Sequence, residues 1–233
     1  MNILAFDTCF DGCSVCIARA RADGVVELAS AFERFETGHA ERLVPMIGAA
    51  MEQAGLGFRE IDRIAVTVGP GTFTGTRIGV AAARGLALAT GVALVGASSL
   101  AVMAEVAARA LGTREGDLAI AVDARRGEVY VQLFGAGGGL YAKSQPAVLP
   151  IAEAARIGGG GPLVVAGSGA EAVAAAAVRE GRRVRACLTD LLPDARALAH
   201  MAAVLDAAEG PLVPLYLRPP DAKPQDGKAV ARA

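Results

Sequence analysis

Short apolar runs separated by polar turns open the chain and predict alternating strands and helices. Runs of small and β-branched residues predict three strands, over residues 3–8, 13–18 and 25–32. The Asp11-Gly12 pair between the first two runs predicts a hairpin turn. The period then changes, because Leu43, Ile47 and Met51 recur every four residues, and this predicts a helix over residues 39–54.

The alternation of strand-like and helix-like runs continues to residue 111. It predicts a strand over 64–68, a helix over 76–90, a strand over 92–95 and a helix over 99–111. Three strands, helix, strand, helix, strand, helix is the element order of the two-lobed α/β actin/Hsp70/sugar-kinase-like (ASKHA) fold. We therefore expect this fold, with a reduced second lobe that is too short to be a complete copy.

The rest of the sequence predicts this smaller lobe and a return to the first one. The expected elements are a hairpin of strands 118–123 and 128–134, a turn over 135–139, a strand near Tyr141, a connector over 158–162, a strand over 163–166, and helices over 170–180 and 194–208. We expect a first lobe over 1–104, a second lobe over 105–193, a segment over 194–218 that packs back on the first lobe, and a disordered tail over 219–233.

The loop GPGTFTGTR at residues 69–77 joins a predicted strand to a predicted helix. Glycine permits close approach of backbone or ligand, and Thr72, Thr74 and Thr76 are all suitable N-cap residues. Two interpretations are open: a capped strand-to-helix turn, or an anion site at the helix N-terminus. The lysine of a Walker A loop is missing, which excludes that phosphate-binding motif.

The helix after this loop has a nearly continuous surface of small side chains, which includes Gly75, Gly79, Ala82 and Ala83. Glycine inside a helix costs roughly 1 kcal/mol relative to alanine. We expect close packing against another element to compensate for this cost. The protein's own sheet and a second subunit are both candidates, and we expect both.

Composition and charge narrow the function classes. With a net charge of −1, no tryptophan and 4% aromatic residues, the chain has neither a global positive field nor base-stacking platforms for nucleic acid. The arginine clusters at 125–126 and 182–185 are short, and a solvated surface is the simpler interpretation. No apolar stretch could span a membrane and no secretion signal is visible, so we expect a cytoplasmic location without membrane contact.

The cysteines have a spacing that invites a cofactor interpretation. Cys9, Cys13 and Cys16 form C-x-x-x-C-x-x-C, the spacing of iron–sulfur clusters in radical enzymes. Such a cluster needs thiolates that converge from one loop, whereas Cys13 and Cys16 lie on a predicted strand and should point to opposite faces. We expect these thiols, and the isolated Cys187, to be packing residues.

Seven segments, in this order and spacing, resemble the TsaB (YeaZ) family. They are ILAFDT (3–8), CSVCIA (13–18), GHAERLVPMI (38–47), DRIAVTVGPGTFTGTRIG (62–79), GASSL (96–100), DARRGEVY (123–130) and PLYLR (214–218). The resemblance covers roughly residues 1–130 and the segment before Arg218. It implies the ASKHA fold and a subunit of the bacterial machinery that makes threonylcarbamoyladenosine (t6A) in tRNA.

The resemblance also implies partners. It indicates a non-catalytic scaffold, without a cofactor of its own, that pairs with and activates a TsaD-type subunit carrying ATP and a metal ion. A TsaE-type ATPase would join the pair, tRNA would be met only through the complex, and the chain would form a homodimer when alone. We expect docking by helices 39–54 and 76–90, through His39, Leu43, Ile47, Met51, Thr74, Gly75, Arg77, Gly79, Ala82, Ala83 and Leu86.

The sequence predicts neither catalytic residues nor a metal site. Where the TsaD-type relative carries a His-x-x-x-His metal pair, this chain has Ser99 and Met103. His39 and His200 are its two histidines, and we expect His39 to cap a helix or contact a partner. The alternative function is a self-sufficient enzyme of the same fold, either an ATP-dependent phosphotransferase or a peptidase.

Polar residues in two segments are candidates for a cleft between the lobes. They are Asp7, Thr8, Asp123, Arg125, Arg126 and Glu128. The last four could meet a ligand in the cleft or form a salt-bridged hairpin turn. The short Gly167-Ser168-Gly169 loop could contact an adenosine or be a plain strand-to-helix turn.

Overall fold

The computed structural model describes residues 1–112, 116–135 and 139–218, which form two lobes, each built on a β-sheet. The first sheet has the order β3-β2-β1-β4-β5. Its strands are β1 (Asn2–Asp7), β2 (Gly12–Arg21), β3 (Gly24–Arg34), β4 (Arg63–Thr67) and β5 (Ala93–Ala97). The first three pair antiparallel, whereas β1, β4 and β5 are parallel.

Helices cover both faces of the first sheet. They are α1 (His39–Ala54), α2 (Phe73–Thr90) and α3 (Ser99–Leu111). Leu4 and Phe6 of β1 belong to the same core as α1 and α2, while Ile3 and Ala5 belong to the core on the other face, which α3 enters through Val102. A single strand serves both layers because its alternate side chains point to opposite faces.

The second lobe is smaller and has a second sheet with the order β11-β10-β6-β7-β8, in which β9 also pairs with β7. Its strands are β6 (Asp117–Asp123), β7 (Glu128–Gly135), β8 (Tyr141–Ala142), β9 (Ala147–Pro150), β10 (Leu163–Ala166) and β11 (Val184–Cys187). The one-turn helix α4 (Ile151–Ala154) and α5 (Ala170–Arg179) pack on one of its faces.

The chain returns to the first lobe after β11. Helix α6 (Ala195–Ala202) packs on the first sheet, where Leu198 joins the core that contains Ile3. The Ser14 hydroxyl accepts a hydrogen bond from the Ala195 amide at 2.9 Å. The segment that follows runs along the same lobe, and its Leu215 amide donates to the Val68 carbonyl at 2.6 Å.

The predicted element order and the bounds of α1 and α3 are confirmed. The prediction for α2 started too late, because the Thr72 hydroxyl caps a first turn that begins at Phe73 and accepts from the Gly75 amide at 3.1 Å. The final helix is shorter than predicted. The Arg63 guanidinium donates to the carbonyls of Ala202 and Leu205, both at 2.6 Å, and these bonds satisfy the helix end.

Besides a 3-10 turn at Phe58–Glu60, three short elements were not predicted: β9, α4 and β11. Each has four residues, which is too few for a visible period. The turn predicted over 135–139 lies partly outside the described residues, and the tail over 219–233 lies wholly outside them. The proposed division at residues 104 and 193 stays a prediction.

Candidate functional site

The glycine-rich loop packs against the chain's own backbone. The Thr72 amide donates to the Cys9 carbonyl at 2.6 Å, and the Thr8 hydroxyl donates to the Gly75 carbonyl at 2.7 Å. A Cβ atom on Gly71 would lie 2.2 Å from the Cys9 carbonyl oxygen, and one on Gly75 would lie 2.0 Å from that of Thr8. Of the two interpretations, the capped turn describes this loop, because the chain itself fills the space beside its glycines.

Asp7 precedes Thr8 and Cys9, the residues that contact the glycine-rich loop, and is 2% exposed. Its Oδ1 accepts hydrogen bonds from the Thr67 hydroxyl and from the Cys9 amide. Burial raises the pKa of the Asp7 carboxyl to about 7, against the opposing effect of these hydrogen bonds. Asp7 therefore titrates near neutral pH.

The three N-terminal cysteines are buried in three different cores. Cys13 packs with α1 and α2, Cys16 packs on the opposite face of the first sheet, and Cys9 belongs to the second lobe's core. The predicted divergence of Cys13 and Cys16 is confirmed. Burial raises the pKa of Cys13 and Cys16 to about 12 and also raises that of Cys9. None of these thiols is poised as a nucleophile, since the thiolate is the reactive form.

A cleft of about 650 Å³ separates the two lobes. Arg34 of β3 crosses it, and its guanidinium donates to the Asp190 carbonyl at 2.8 Å and pairs with that residue's carboxylate at 3.4 Å. The lining residues are Phe10, Asp11, Arg34, Phe35, Glu36, Gly71, Thr72, Val122, Asp123, Ala124, Arg125, Tyr130, Ser168, Thr189, Asp190, Leu191 and Leu192. Four carboxylates face two guanidinium groups, so this lining does not favour a polyphosphate.

The predicted cleft residues are placed at different depths. Asp123 and Arg125 line the cleft. Asp7 and Thr8 are buried behind its wall, and Glu128 is paired with Arg218. Arg126 lies in the β6–β7 turn and is not among the lining residues.

The turn between β6 and β7 is locally stabilised. The Asp123 carboxylate accepts from the Arg125 amide at 2.8 Å and forms an ion pair with its guanidinium at 3.9 Å. Arg125 and Arg126 both have left-handed backbone conformations, with φ of 64° and 59°. Asp123 and Arg125 therefore form a salt-bridged turn and also line the cleft.

The Gly167-Ser168-Gly169 loop is also occupied by the protein itself. The Ser168 hydroxyl accepts from the Asp123 amide at 3.0 Å, and the Gly169 amide donates to the Ala121 carbonyl at 3.0 Å. A Cβ on Gly167 would lie 2.4 Å from the same carbonyl oxygen. These contacts describe a plain strand-to-helix turn.

Sequence reasoning proposed Asp7 and Thr8 as the first lobe's cleft residues and did not propose the first-lobe residues that line the cleft. Phe10, Asp11, Arg34 and Phe35 line it, although two of them belong to a predicted hairpin turn and the other two lie beyond the predicted end of the third strand. The Asp11-Gly12 pair was the one available signal, and it indicated a turn without indicating what the turn faces.

The predicted partner-binding residues fall into two groups. Most are buried in this protein's own structure: His39, Leu43, Ile47, Met51, Gly75, Gly79 and Ala83. Ala82 and Leu86 are half-buried, and Thr74 and Arg77 are exposed. In the buried group, the larger side chains pack α1 and α2 on the first sheet, and Gly75 and Gly79 allow α2 to approach Thr8 closely. Partner binding by any of these residues stays a prediction.

His39 belongs to the buried group and neither caps α1 nor reaches the surface. Its Nε2 donates to the Phe10 carbonyl oxygen at 2.7 Å, and its ring meets the edge of Phe35 with centroids 4.9 Å apart. Gly38 is the N-cap residue of α1. His39 therefore anchors the β1–β2 turn to α1.

The outward sides of α1 and α2 form an exposed surface of small and apolar residues, which we call the outer helical face. Its small and apolar members are Val44, Pro45, Gly48 and Ala49 of α1 and Ala81, Gly85, Leu88 and Ala89 of α2, and the exposed Arg84 lies among the residues of α2. Leu88 is 90% exposed and Val44 is 66% exposed. Large apolar side chains this exposed on neighbouring helices are typical of an interaction surface.

The C-terminal segment borders the outer helical face. The Arg77 guanidinium lies 3.5 Å from the centroid of the Phe73 ring and donates to the Tyr216 hydroxyl at 2.6 Å. Phe73 and Tyr216 stack with centroids 5.5 Å apart. Arg218, two residues later, donates to the Ala124 carbonyl at 2.9 Å and pairs with Glu128 of the second lobe. The segment therefore connects α2 to the second lobe.

The described part of the chain contains no group of three or more His, Cys, Asp or Glu side chains arranged to hold a metal ion. Ser99 and Met103, at the positions of the relative's histidines, are both fully buried. None of the described helices has the length and apolar character needed to cross a membrane.

Similarity to known proteins agrees with this architecture. The sequence model of the family described as "TsaD: tRNA N6-adenosine threonylcarbamoyltransferase" matches residues 33–179. The chain is 39% identical over 130 residues to the tRNA threonylcarbamoyladenosine biosynthesis protein TsaB of Escherichia coli, a match that covers 56% of this chain and 53% of that protein. The chain thus spans about half the length of this relative.

Two further similarities are to a transferase and to a solved structure. The chain is 45% identical over 96 residues to the tRNA N6-adenosine threonylcarbamoyltransferase of Cereibacter sphaeroides, covering 39% of this chain and 26% of that protein. The solved structure of YeaZ from Pseudomonas aeruginosa superposes with a TM-score of 0.79 at 31% identity, over 93% of this chain and 99% of that one. Identity and fold that extend over nearly all of a solved YeaZ show that this chain belongs to the TsaB (YeaZ) family.

Proposed function

We propose that this chain is a non-catalytic subunit of a t6A synthesis complex, and that it activates a TsaD-type subunit by docking on it through the outer helical face. Relatives of the chain are named as t6A biosynthesis proteins. The observation that carries the docking proposal is the exposed apolar surface shared by α1 and α2, on which Leu88 is 90% exposed.

The TsaD-type partner is expected to present similar helices. The TsaD family model matches residues 33–179 of this chain, a range that contains both α1 and α2. Two like pairs of helices can pack about a pseudo-two-fold axis, much as identical patches pair in a symmetric dimer. Gly48 and Gly85 have open space around them, and glycine at a helix surface lets a second helix approach closely. The same face would form a homodimer when the partner is absent.

Several features support a role without chemistry of its own. The thiols of Cys9, Cys13 and Cys16 are buried with raised pKa values, and the cleft lining contains four carboxylates and two arginines. We therefore assign ATP and the metal ion to the partner subunits, including a TsaE-type ATPase. With a net charge of −1, the chain is expected to meet tRNA within the complex, in the cytoplasm.

The docking proposal is tested by placing a charge on the outer helical face. Leu88→Arg should weaken a one-to-one complex with the TsaD-type subunit by about tenfold or more, because a buried guanidinium without a partner opposes association. Sizing chromatography with light scattering gives the stoichiometry, and a titration gives the affinity. Ala83→Arg is unsuitable, because Ala83 is fully buried in the core.

Val204→Arg provides the matched control. Val204 is 84% exposed and follows α6, which packs on the opposite face of the first sheet. This variant should bind the partner with unchanged affinity. Equal affinity for wild type and Leu88→Arg would overturn docking by this face. Absence of any complex, together with ATP turnover by the isolated chain, would favour an independent phosphotransferase instead.

A further inference from the structure

One corner of the second lobe concentrates positive charge. Strands β10 and β11 begin side by side there, next to the end of α5, and the Leu163 amide donates to the Arg183 carbonyl at 3.2 Å. The arginines of α5 and β11 meet a further arginine that follows α4. We call the set the basic corner, and it comprises Arg156, Arg179, Arg182, Arg183 and Arg185.

Two of these arginines have structural roles. Arg156 forms a bidentate pair with Glu180, at 2.8 and 3.1 Å. The Arg182 guanidinium donates to the carbonyls of Ala155, Ile157 and Gly159. Through these contacts, Arg156 and Arg182 stabilise the loop between α4 and β10.

The remaining three arginines have no such role. Arg179, Arg183 and Arg185 are exposed, and their side chains form neither an ion pair nor a hydrogen bond with the described residues. Arg179 lies in the last turn of α5, where a cation compensates the helix dipole. Arg183 and Arg185 lie at the edge strand β11, where that explanation does not apply.

The loop beside these arginines leaves room for a large ligand. Residues 158–161 are four consecutive exposed glycines, and a Cβ on Gly159, Gly160 or Gly161 would meet nothing within 4 Å. The Arg182 guanidinium binds two carbonyls that precede this loop and the Gly159 carbonyl within it, which offsets their negative charge. An anionic backbone can therefore approach the edge of β11 without steric obstruction from this loop.

We propose that the basic corner binds the phosphate backbone of tRNA within the complex, an inference that rests on the proposed function. The five guanidinium groups lie near two described carboxylates, Glu153 and Glu180, and a third, Asp117, lies beside Gly158 and is paired with Lys143. The local charge is therefore positive in a chain whose net charge is −1. Arg183 and Arg185 are roughly 6.6 Å apart along the strand, a separation similar to that between neighbouring phosphates. Arginine binds phosphate oxygens in bidentate fashion, and such contacts position RNA without reading its sequence.

The test measures tRNA affinity of the full complex with the TsaD- and TsaE-type subunits, using an unmodified tRNA transcript at several salt concentrations. Replacing both edge arginines, Arg183→Gln and Arg185→Gln, should weaken binding by about tenfold at low salt and reduce the slope of log K against log salt by about 1.5. The control replaces Arg21 and Arg59 by Gln, two exposed first-lobe arginines, and should leave both quantities unchanged.

The isolated chain is titrated with the same tRNA in parallel, and partner affinity is measured for both double variants. Weaker tRNA binding by a complex whose partner affinity is intact supports the basic corner. If the complex fails to assemble, weaker tRNA binding by the isolated double variant supports it instead. An unchanged salt slope in a complex that assembles overturns the basic corner and leaves the proposed function standing. If the edge-arginine variant loses partner affinity but keeps its tRNA affinity, the basic corner is a protein contact and the inference is overturned. The inference is also overturned if no tRNA binding is detected in either assay.

Discussion

Asp7 is an ionisable group enclosed at the junction of β1, β4 and the glycine-rich loop. It is 2% exposed, and burial raises its pKa from 3.8 to about 7. A raised carboxyl pKa means that the folded state binds the proton more tightly than the unfolded state. The contribution of this group to stability is complete below about pH 4 and is lost as the pH rises through about 7.

Asp7→Asn should therefore raise the melting temperature at pH 8 and change it little at pH 5. Asparagine keeps an oxygen that can accept from Thr67 and Cys9 but has no charge to bury. Thermal unfolding at the two pH values measures the difference. Asp23→Asn, in the exposed turn between β2 and β3, is the control and should show little change at either pH. Equal shifts at both pH values for Asp7→Asn would refute the titration.

Helix α2 uses its two sides for different purposes. Its inward side carries Gly75 and Gly79, where a Cβ would lie 2.0 Å from the Thr8 carbonyl oxygen and 2.5 Å from the Thr8 hydroxyl oxygen, respectively. Its outward side carries Gly85, where a Cβ would meet nothing within 4 Å. The small-residue surface predicted from the sequence thus includes both internal packing positions and open ones.

Two glycine substitutions in this helix should have opposite effects on stability. Gly75→Ala should destabilise the isolated chain by about 3 kcal/mol, because the new methyl group forces the backbone of Thr8 away. Gly85→Ala should stabilise it by about 0.5–1 kcal/mol, since alanine costs less backbone entropy in a helix. Urea unfolding measures both. Destabilisation by Gly85→Ala, or tolerance of Gly75→Ala, would contradict this division of the helix.

The two lobes are connected through the side chains of Arg218 and Arg34. Arg218 donates to the Ala124 carbonyl at 2.9 Å and pairs with Glu128, and both groups of the ion pair are largely buried. Across the cleft, Arg34 bonds to Asp190. The Arg34–Asp190 pair is more exposed, with side-chain exposures of 53% and 82%, so we expect it to contribute less than Arg218.

Arg218→Ala should lower the free energy of unfolding by about 1.5 kcal/mol and speed hydrogen exchange at the β6–β7 turn, because a charge-assisted bond and a carbonyl contact are lost. Arg34→Ala should cost less than 1 kcal/mol. Urea unfolding and amide exchange provide the two measurements. If the Arg34 variant loses more stability than the Arg218 variant, the C-terminal segment is not the stronger connection between the lobes.

The sequence by itself determined the element order and the main helices, because these depend on local periodicity and capping. The four-residue period of Leu43, Ile47 and Met51 predicted α1 with its observed bounds. The strand alternation of Cys13 and Cys16 predicted opposite faces, and the two cores confirm this. Short elements such as β11 escaped because their residues contain no complete period and form a strand through pairing with β10.

Only the tertiary structure decided which side of each helix is available and which distant charges meet. Periodicity identifies an apolar side, but the apolar side of α1 turned inward, so the exposed surface consists of Val44, Gly48 and their neighbours. The Arg182 guanidinium donates to the Ile157 carbonyl although 25 residues separate the two. This contact brings Arg182 close to Arg156 in the structure. Long-range contacts of this kind depend on how the sheets and helices pack, and no local pattern in the sequence records them.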